Sequence, residues 1–166
     1  IIKESALDLL AYKGYDDTAM TEIADKAGIS VGTVYIYFSN KLELYECLYE
    51  DALDALEKSF DDAIAAPAHD ATSRMSLMLF SYINFYKYQN ANYRILSSGF
   101  WGKKVEIRNN QTINDKGISI LKKLEKQVIW GVETGEFKPC DTFKLVTTLW
   151  AMFDGILMMN VKTQID

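Results

Sequence analysis

Residues 21–38, TEIADKAGISVGTVYIYF, constrain the fold of this chain more than any other stretch. Ile23, Ala24 and Ala27 recur at three- and four-residue intervals, which puts them on one helical stripe. Gly28 follows, where a helix can stop in the left-handed conformation that costs glycine little. Ile29 then turns inward, and Ser30 offers a side-chain oxygen to the free amides of a second helix. In that helix Val34 and Phe38 stand four apart and face Ile23 and Ala24, which leaves Gly32, Thr33, Ile36 and Tyr37 outward. Glycine is a poor helix former, so its place in so short a helix suits a partner's backbone or base edge coming close. Two short helices and a turn are too small to fold alone, and such a unit serves to present its second helix to something else.

Helix, glycine turn and exposed short helix are the parts of a helix-turn-helix, whose second helix enters the major groove of DNA. The pattern Gly14-Tyr15, Thr18, Thr21-Glu22-Ile23-Ala24, Ala27-Gly28-Ile29-Ser30, Gly32-Thr33, Tyr35, Tyr37-Phe38 and Lys41 resembles the N-terminal domain of the TetR family of bacterial transcriptional regulators. The match holds in register over about 40 residues, far more specific than a lone glycine turn. The resemblance implies an all-α fold, with a three-helix DNA-binding domain over 1–46 and a larger helical effector-binding and dimerisation domain over 47–166. It implies DNA contacts from Gly32, Thr33 and Tyr37 at bases or the adjoining backbone, with Tyr35 at the flank. Thr21, Ser30 and Lys41 would hold phosphates. At Val31 relatives often carry lysine or arginine, so readout there is expected to be weaker or purely apolar.

Charge is the discordant observation. Residues 1–46 carry four lysines (Lys3, Lys13, Lys26, Lys41) against eight carboxylates, whereas a DNA-binding unit is normally basic. Hydroxyls, backbone amides and helix N-termini can also hold phosphate. The chain opens on Ile1 already in helical register, and the resemblance reads this as a longer chain trimmed of a basic leading segment. The acidic balance also motivates an alternative function, a helical ligand-binding or interaction protein without DNA-binding activity.

Beyond the helix-turn-helix the sequence reads as helices throughout. Residues 1–13 form an amphipathic first helix stopped by Gly14. Asn40 with Glu43 resembles a capping box opening a helix over 41–65, which Pro67 terminates. Asp70 caps a helix over 71–89, a shorter one covers 91–98, and Gly99 with Gly102 marks a loop. A helix over 104–134 ends near Gly135, and Asp141 caps the last, over 141–161.

The helix over 71–89 is crowded with methionine and aromatic residues, and the last two helices carry more. Most such residues are plain core, yet bundles also enclose ligands between apolar walls bearing a few phenols or indoles. The expected wall is Tyr82, Phe85, Tyr86, Trp101, Trp130 and Phe153, suited to a small hydrophobic or aromatic effector. A single helix-turn-helix makes few contacts, so such proteins bind as two-fold homodimers to palindromic operators with half-sites about 34 Å apart or a multiple of that spacing. The last helix, with Leu145, Leu149, Met152, Phe153, Ile156, Leu157 and Val161, has more apolar surface than one core needs and is the expected interface. Family members use two C-terminal helices there, and only one is legible, which suggests missing sequence after Asp166.

Other classes find little support. No apolar run approaches the roughly 18 residues a membrane span needs, and no secretory signal is visible, so a cytoplasmic protein without a membrane partner is expected. Cys47 and Cys140 lack metal-ligand spacing and read as free thiols. The lone His69 lies in a loop without partners, and no nucleophile motif, phosphate loop or carboxylate pair stands in a supporting context. No catalytic residue, metal or cofactor is expected. Lys116, Lys122, Lys123 and Lys126 read as a solvated helix face.

Overall fold

A computed structural model describes residues 1–101 and 110–163, with the side chains of 99–101 and 160–163 outside the described set. Eight helices and no strand occur among the described residues. Helix α1 (Ile2–Tyr12) is followed by Gly14 at φ 97°. Helix α2 (Met20–Ala27) has its first turn tied by Glu22, whose carboxylate accepts the Ala19 amide at 2.9 Å; alanine has no oxygen with which to reciprocate. Gly28 ends α2 at φ 68°, its amide reaching the Ala24 and Asp25 carbonyls. Helix α3 (Val31–Tyr37) is capped by Ser30, whose hydroxyl accepts the Thr33 amide at 3.1 Å.

Several later helices open on side-chain caps that satisfy orphan amides. For α4 (Lys41–Ala65), Asn40 accepts the Glu43 amide at 2.9 Å, and Glu43 reaches back to the Ser39 amide, one residue beyond the usual box. Asp70 caps α5 (Ala71–Tyr88) through the Ser73 amide at 2.7 Å, and Asp141 caps α8 (Thr142–Thr163) through the Lys144 amide at 3.0 Å.

Two boundaries differ from the sequence expectation. Helix α6 (Asn90–Trp101) continues through Gly99, because one glycine in a helix costs only about 1 kcal/mol. Helix α7 (Gln111–Glu133) begins after Asn110, whose side chain accepts the Ile113 amide at 3.3 Å; asparagine serves here as a cap. Residues 104–109 of the helix expected over 104–134 lie outside the described residues.

The chain packs as two compact units, residues 1–55 with 89–113 and residues 56–88 with 114–166. The first holds α1, α2, α3, α6 and the opening of α4 around Leu10, Ile23, Val34, Leu44 and Tyr45, all buried. The Tyr45 hydroxyl donates to the Ile95 carbonyl at 3.2 Å and pairs with the Ser98 hydroxyl at 2.6 Å, which fastens α4 to α6. Burial raises the pKa of this phenol and keeps it neutral.

The second unit holds the end of α4 with α5, α7 and α8. Phe60, Tyr82 and Trp150 form a ring cluster with centroids 4.6–6.4 Å apart. Buried Asp154 accepts the Tyr82 hydroxyl at 3.0 Å, so the phenol is satisfied inside an apolar setting. Gly131 of α7 lies under Phe137, where an added Cβ would come within 2.2 Å of the ring, and the Phe137 amide donates to the Gly131 carbonyl at 2.9 Å.

Helix α8 qualifies one expectation. The window Thr142–Met159 has mean hydropathy 1.2, long and apolar enough for a membrane span by length and composition, although Lys144 and Asp154 interrupt it. Leu145, Leu149, Met152, Ile156 and Met159 recur at alternating intervals of four and three, the spacing of a helix–helix seam. Met152, Ile156 and Met159 are more than half exposed.

Candidate nucleic-acid interface and effector chamber

Helix α3 exposes several of its apolar side chains. At about 100° per residue, Gly32 and Ile36 lie roughly 160° and 200° round the axis from Val34. Val34 is fully buried, so Gly32 and Ile36 define the centre of the outward face. Ile36 is 80% exposed, Tyr37 67% and Tyr35 50%. An added Cβ at Gly32 would meet nothing closer than the Ser30 hydroxyl at 3.7 Å, so no internal packing requires glycine there.

Among the expected contact residues, Thr21 is exposed on the first turn of α2, while Val31 and Thr33 are half-buried on α3. Ser30 and Thr33 hydroxyls pair with each other at 2.9 Å. Lys41 donates to the carbonyls of Tyr15 and Thr18 and lies 4.3 Å from the Tyr15 ring centroid. Two of the three N–H groups of its ammonium are thereby accounted for.

The other lysines of residues 1–46 are also engaged. Lys3 pairs with Asp51 and Lys26 with Asp8, both at 2.8 Å, and Lys13 pairs with Glu22. The Lys13 ammonium, helped by the Ala19 amide, holds the Glu22 carboxyl below its ordinary pKa. Pairs this exposed contribute little stability. Their consequence is that all four ammonium groups have acceptors within the unit.

The second unit contains a cavity of about 260 Å³. Its wall comes from Phe60 on α4, Met75, Met78, Leu79 and Tyr82 on α5, Leu124 on α7, and Val146, Leu149, Trp150 and Phe153 on α8. Phe137 closes it from the loop after α7, and Thr72 and Ser76 supply hydroxyls. That loop is latched to the start of α5: Glu136 accepts the Ala71 and Thr72 amides at 3.0 and 3.1 Å and the Thr72 hydroxyl at 3.2 Å. The Ala71 amide is the largest influence holding the Glu136 carboxyl below its ordinary pKa.

Of the six wall residues expected from sequence, Tyr82 and Phe153 line this cavity. Phe85 is buried, Tyr86 and Trp130 are half-buried, and none of the three is in its wall. The Trp101 side chain lies outside the described residues. Sequence reasoning missed Phe60, Phe137 and Trp150. Trp150 stood in the aromatic-rich last helix, but periodicity gave no sign of which face would meet the cavity.

Among the described residues no cluster of His, Cys, Asp and Glu could hold a metal ion, and Cys47 and Cys140 are free thiols. In the lysine row of α7, Lys123 pairs with Glu57 at 3.0 Å and also with Asp61.

Residues 2–48 match the profile of the bacterial regulatory proteins, tetR family. The chain is 27% identical over 143 residues to the uncharacterized HTH-type transcriptional regulator YhgD of Bacillus subtilis (strain 168), an overlap of 85% of this chain and 72% of that protein. Its fold is similar to that of the transcriptional regulator FadR from Bacillus subtilis in complex with stearoyl-CoA, at TM-score 0.82 and 21% identity over 98% of this chain and 87% of FadR. A similar fold occurs in AibR in complex with isovaleryl coenzyme A and operator DNA, at TM-score 0.81 and 19% identity over 95% of this chain and 84% of AibR.

Proposed function

We propose that this member of the TetR family of bacterial regulatory proteins is a cytoplasmic, ligand-responsive transcriptional repressor that binds a palindromic operator as a homodimer. A small hydrophobic or aromatic effector filling the chamber of the second unit would release it. The observation that carries this reading is an apolar cavity, walled by Phe60, Tyr82, Trp150 and Phe153, in a chain whose first residues form an exposed helix-turn-helix.

Residues 1–46 read DNA, and residues 47–166 supply effector binding and dimerisation. Val31, Gly32, Thr33 and Tyr37 meet bases or the adjoining backbone, with Tyr35 at the flank. Thr21, Ser30 and the remaining N–H of Lys41 hold phosphates. The coenzyme A thioesters bound by FadR and AibR are a precedent for an effector with an apolar chain. The exposed seam of α8 supports pairing with a second copy. Helix α4 carries Lys41 and Tyr45 in the first unit and Phe60 in the chamber wall, so a ligand that displaces Phe60 acts on a helix that both units share. A coupling of about 1–3 kcal/mol would make a useful switch.

The test is retention of DNA from the promoter region of the protein's own gene in the presence of competitor DNA, followed by release with hydrophobic compounds that raise Tm. Absence of specific retention at low salt removes the proposal. The engagement of all four lysines in 1–46 favours a second reading, a ligand-binding protein without DNA-binding activity. A rise in Tm with such compounds in a protein that retains no DNA would select it.

A further inference from the structure

We infer that this protein selects operators by the 5-methyl groups of thymine, with Ile36 as the side chain that reads them. The inference rests on the DNA-binding reading and goes beyond it by naming the reader and the base feature read.

Helix α3, VGTVYIY, contains no arginine, lysine, asparagine, glutamine or carboxylate. Those are the side chains that form the bidentate bonds distinguishing guanine and adenine, or accept from cytosine. What α3 can offer the groove is apolar surface and hydroxyls. The Thr33 hydroxyl is already paired with Ser30, and the tyrosines flank the face. Ile36 stands at its centre, 80% exposed beside the bare backbone of Gly32, which lets a base edge come close. The feature of the major groove that matches a branched aliphatic group is the methyl of thymine. The four lysines of residues 1–46 cannot supply base readout from α3, since each lies on another element.

The experiment is selection of bound duplexes from a random pool by the full chain, followed by uracil substitution at each enriched thymine, which removes only the methyl. Burying one such carbon is worth about 0.8 kcal/mol, so at least one substitution per half-site should weaken binding about fourfold. Ile36→Ala should abolish that thymine–uracil difference, and Ile36→Val should keep part of it. The folded state should survive both, because the side chain is solvent-exposed, and circular dichroism with Tm would verify this. Enriched duplexes indifferent to uracil, or an unchanged difference in Ile36→Ala, would overturn the inference alone. Failure to enrich any duplex would overturn the DNA-binding reading, and this inference with it.

Discussion

The unit that carries α3 and the unit that encloses the chamber are held together in opposite ways. Around α3 the structure is held by neighbours in sequence: Gly28 at positive φ, Ser30 on the Thr33 amide and Glu22 on the Ala19 amide. Around the chamber it is held by partners far apart in the chain, with Glu136 on Ala71, Tyr82 on Asp154 and Phe60 against Trp150. Local devices fix the shape of a segment that faces outward. Distant contacts close a space whose shape depends on several helices at once.

Substitutions can break this contrast or sharpen it. The largest effect is expected from Phe60→Ala, since Phe60 is 1% exposed and belongs to the ring cluster. A loss of about 3–5 kcal/mol in urea unfolding is expected, with an enlarged chamber that admits bulkier hydrophobic ligands. An unchanged midpoint would mean that the chamber wall is not part of the core. Gly131→Ala should come next, at about 1–3 kcal/mol, because the new methyl must push Phe137 aside. A crystal structure of the variant with Phe137 unmoved would contradict this.

Local devices should give smaller changes. Ser30→Ala removes the cap of α3 and should cost about 1 kcal/mol, and Ser30→Gly only a few tenths, as read from thermal unfolding. Gly32→Ala has room for its methyl and should leave stability unchanged, or raise it by up to about 1 kcal/mol, while weakening DNA retention. Loss of both stability and DNA binding would show that Gly32 serves the fold.

The smallest effect concerns Glu136. Its carboxyl titrates below the ordinary value, so its contribution is complete at pH above the unfolded pKa and disappears as pH falls through the lowered folded pKa. Glu136→Gln should therefore be less stable than the parent near neutrality and equal to it in strong acid. A difference that persists in acid would place the effect elsewhere.

How legible each region is in the sequence follows from the same contrast. Gly28, Ser30, Asp70 and Asp141 act on amides within a few residues, so their roles can be read from spacing alone. Asn110 falls inside the helix expected over 104–134 and instead starts one, since a polar side chain both disfavours an interior and satisfies an end. The chamber needed more than periodicity. A stripe identifies a buried face, but Phe85 and Tyr82 both lie on apolar α5 and only Tyr82 meets the cavity. Glu136 lies 65 residues from its main partner, and no local pattern announces it.

Lys41 turns the first turn of α4 into a mooring. Its ammonium grips the Tyr15 and Thr18 carbonyls, which belong to the segment leading into α2, so one side chain fastens that segment to the start of α4. Lys41→Met would cut both bonds at once, and amide exchange in the segment before α2 should quicken while the rest of the unit stays protected.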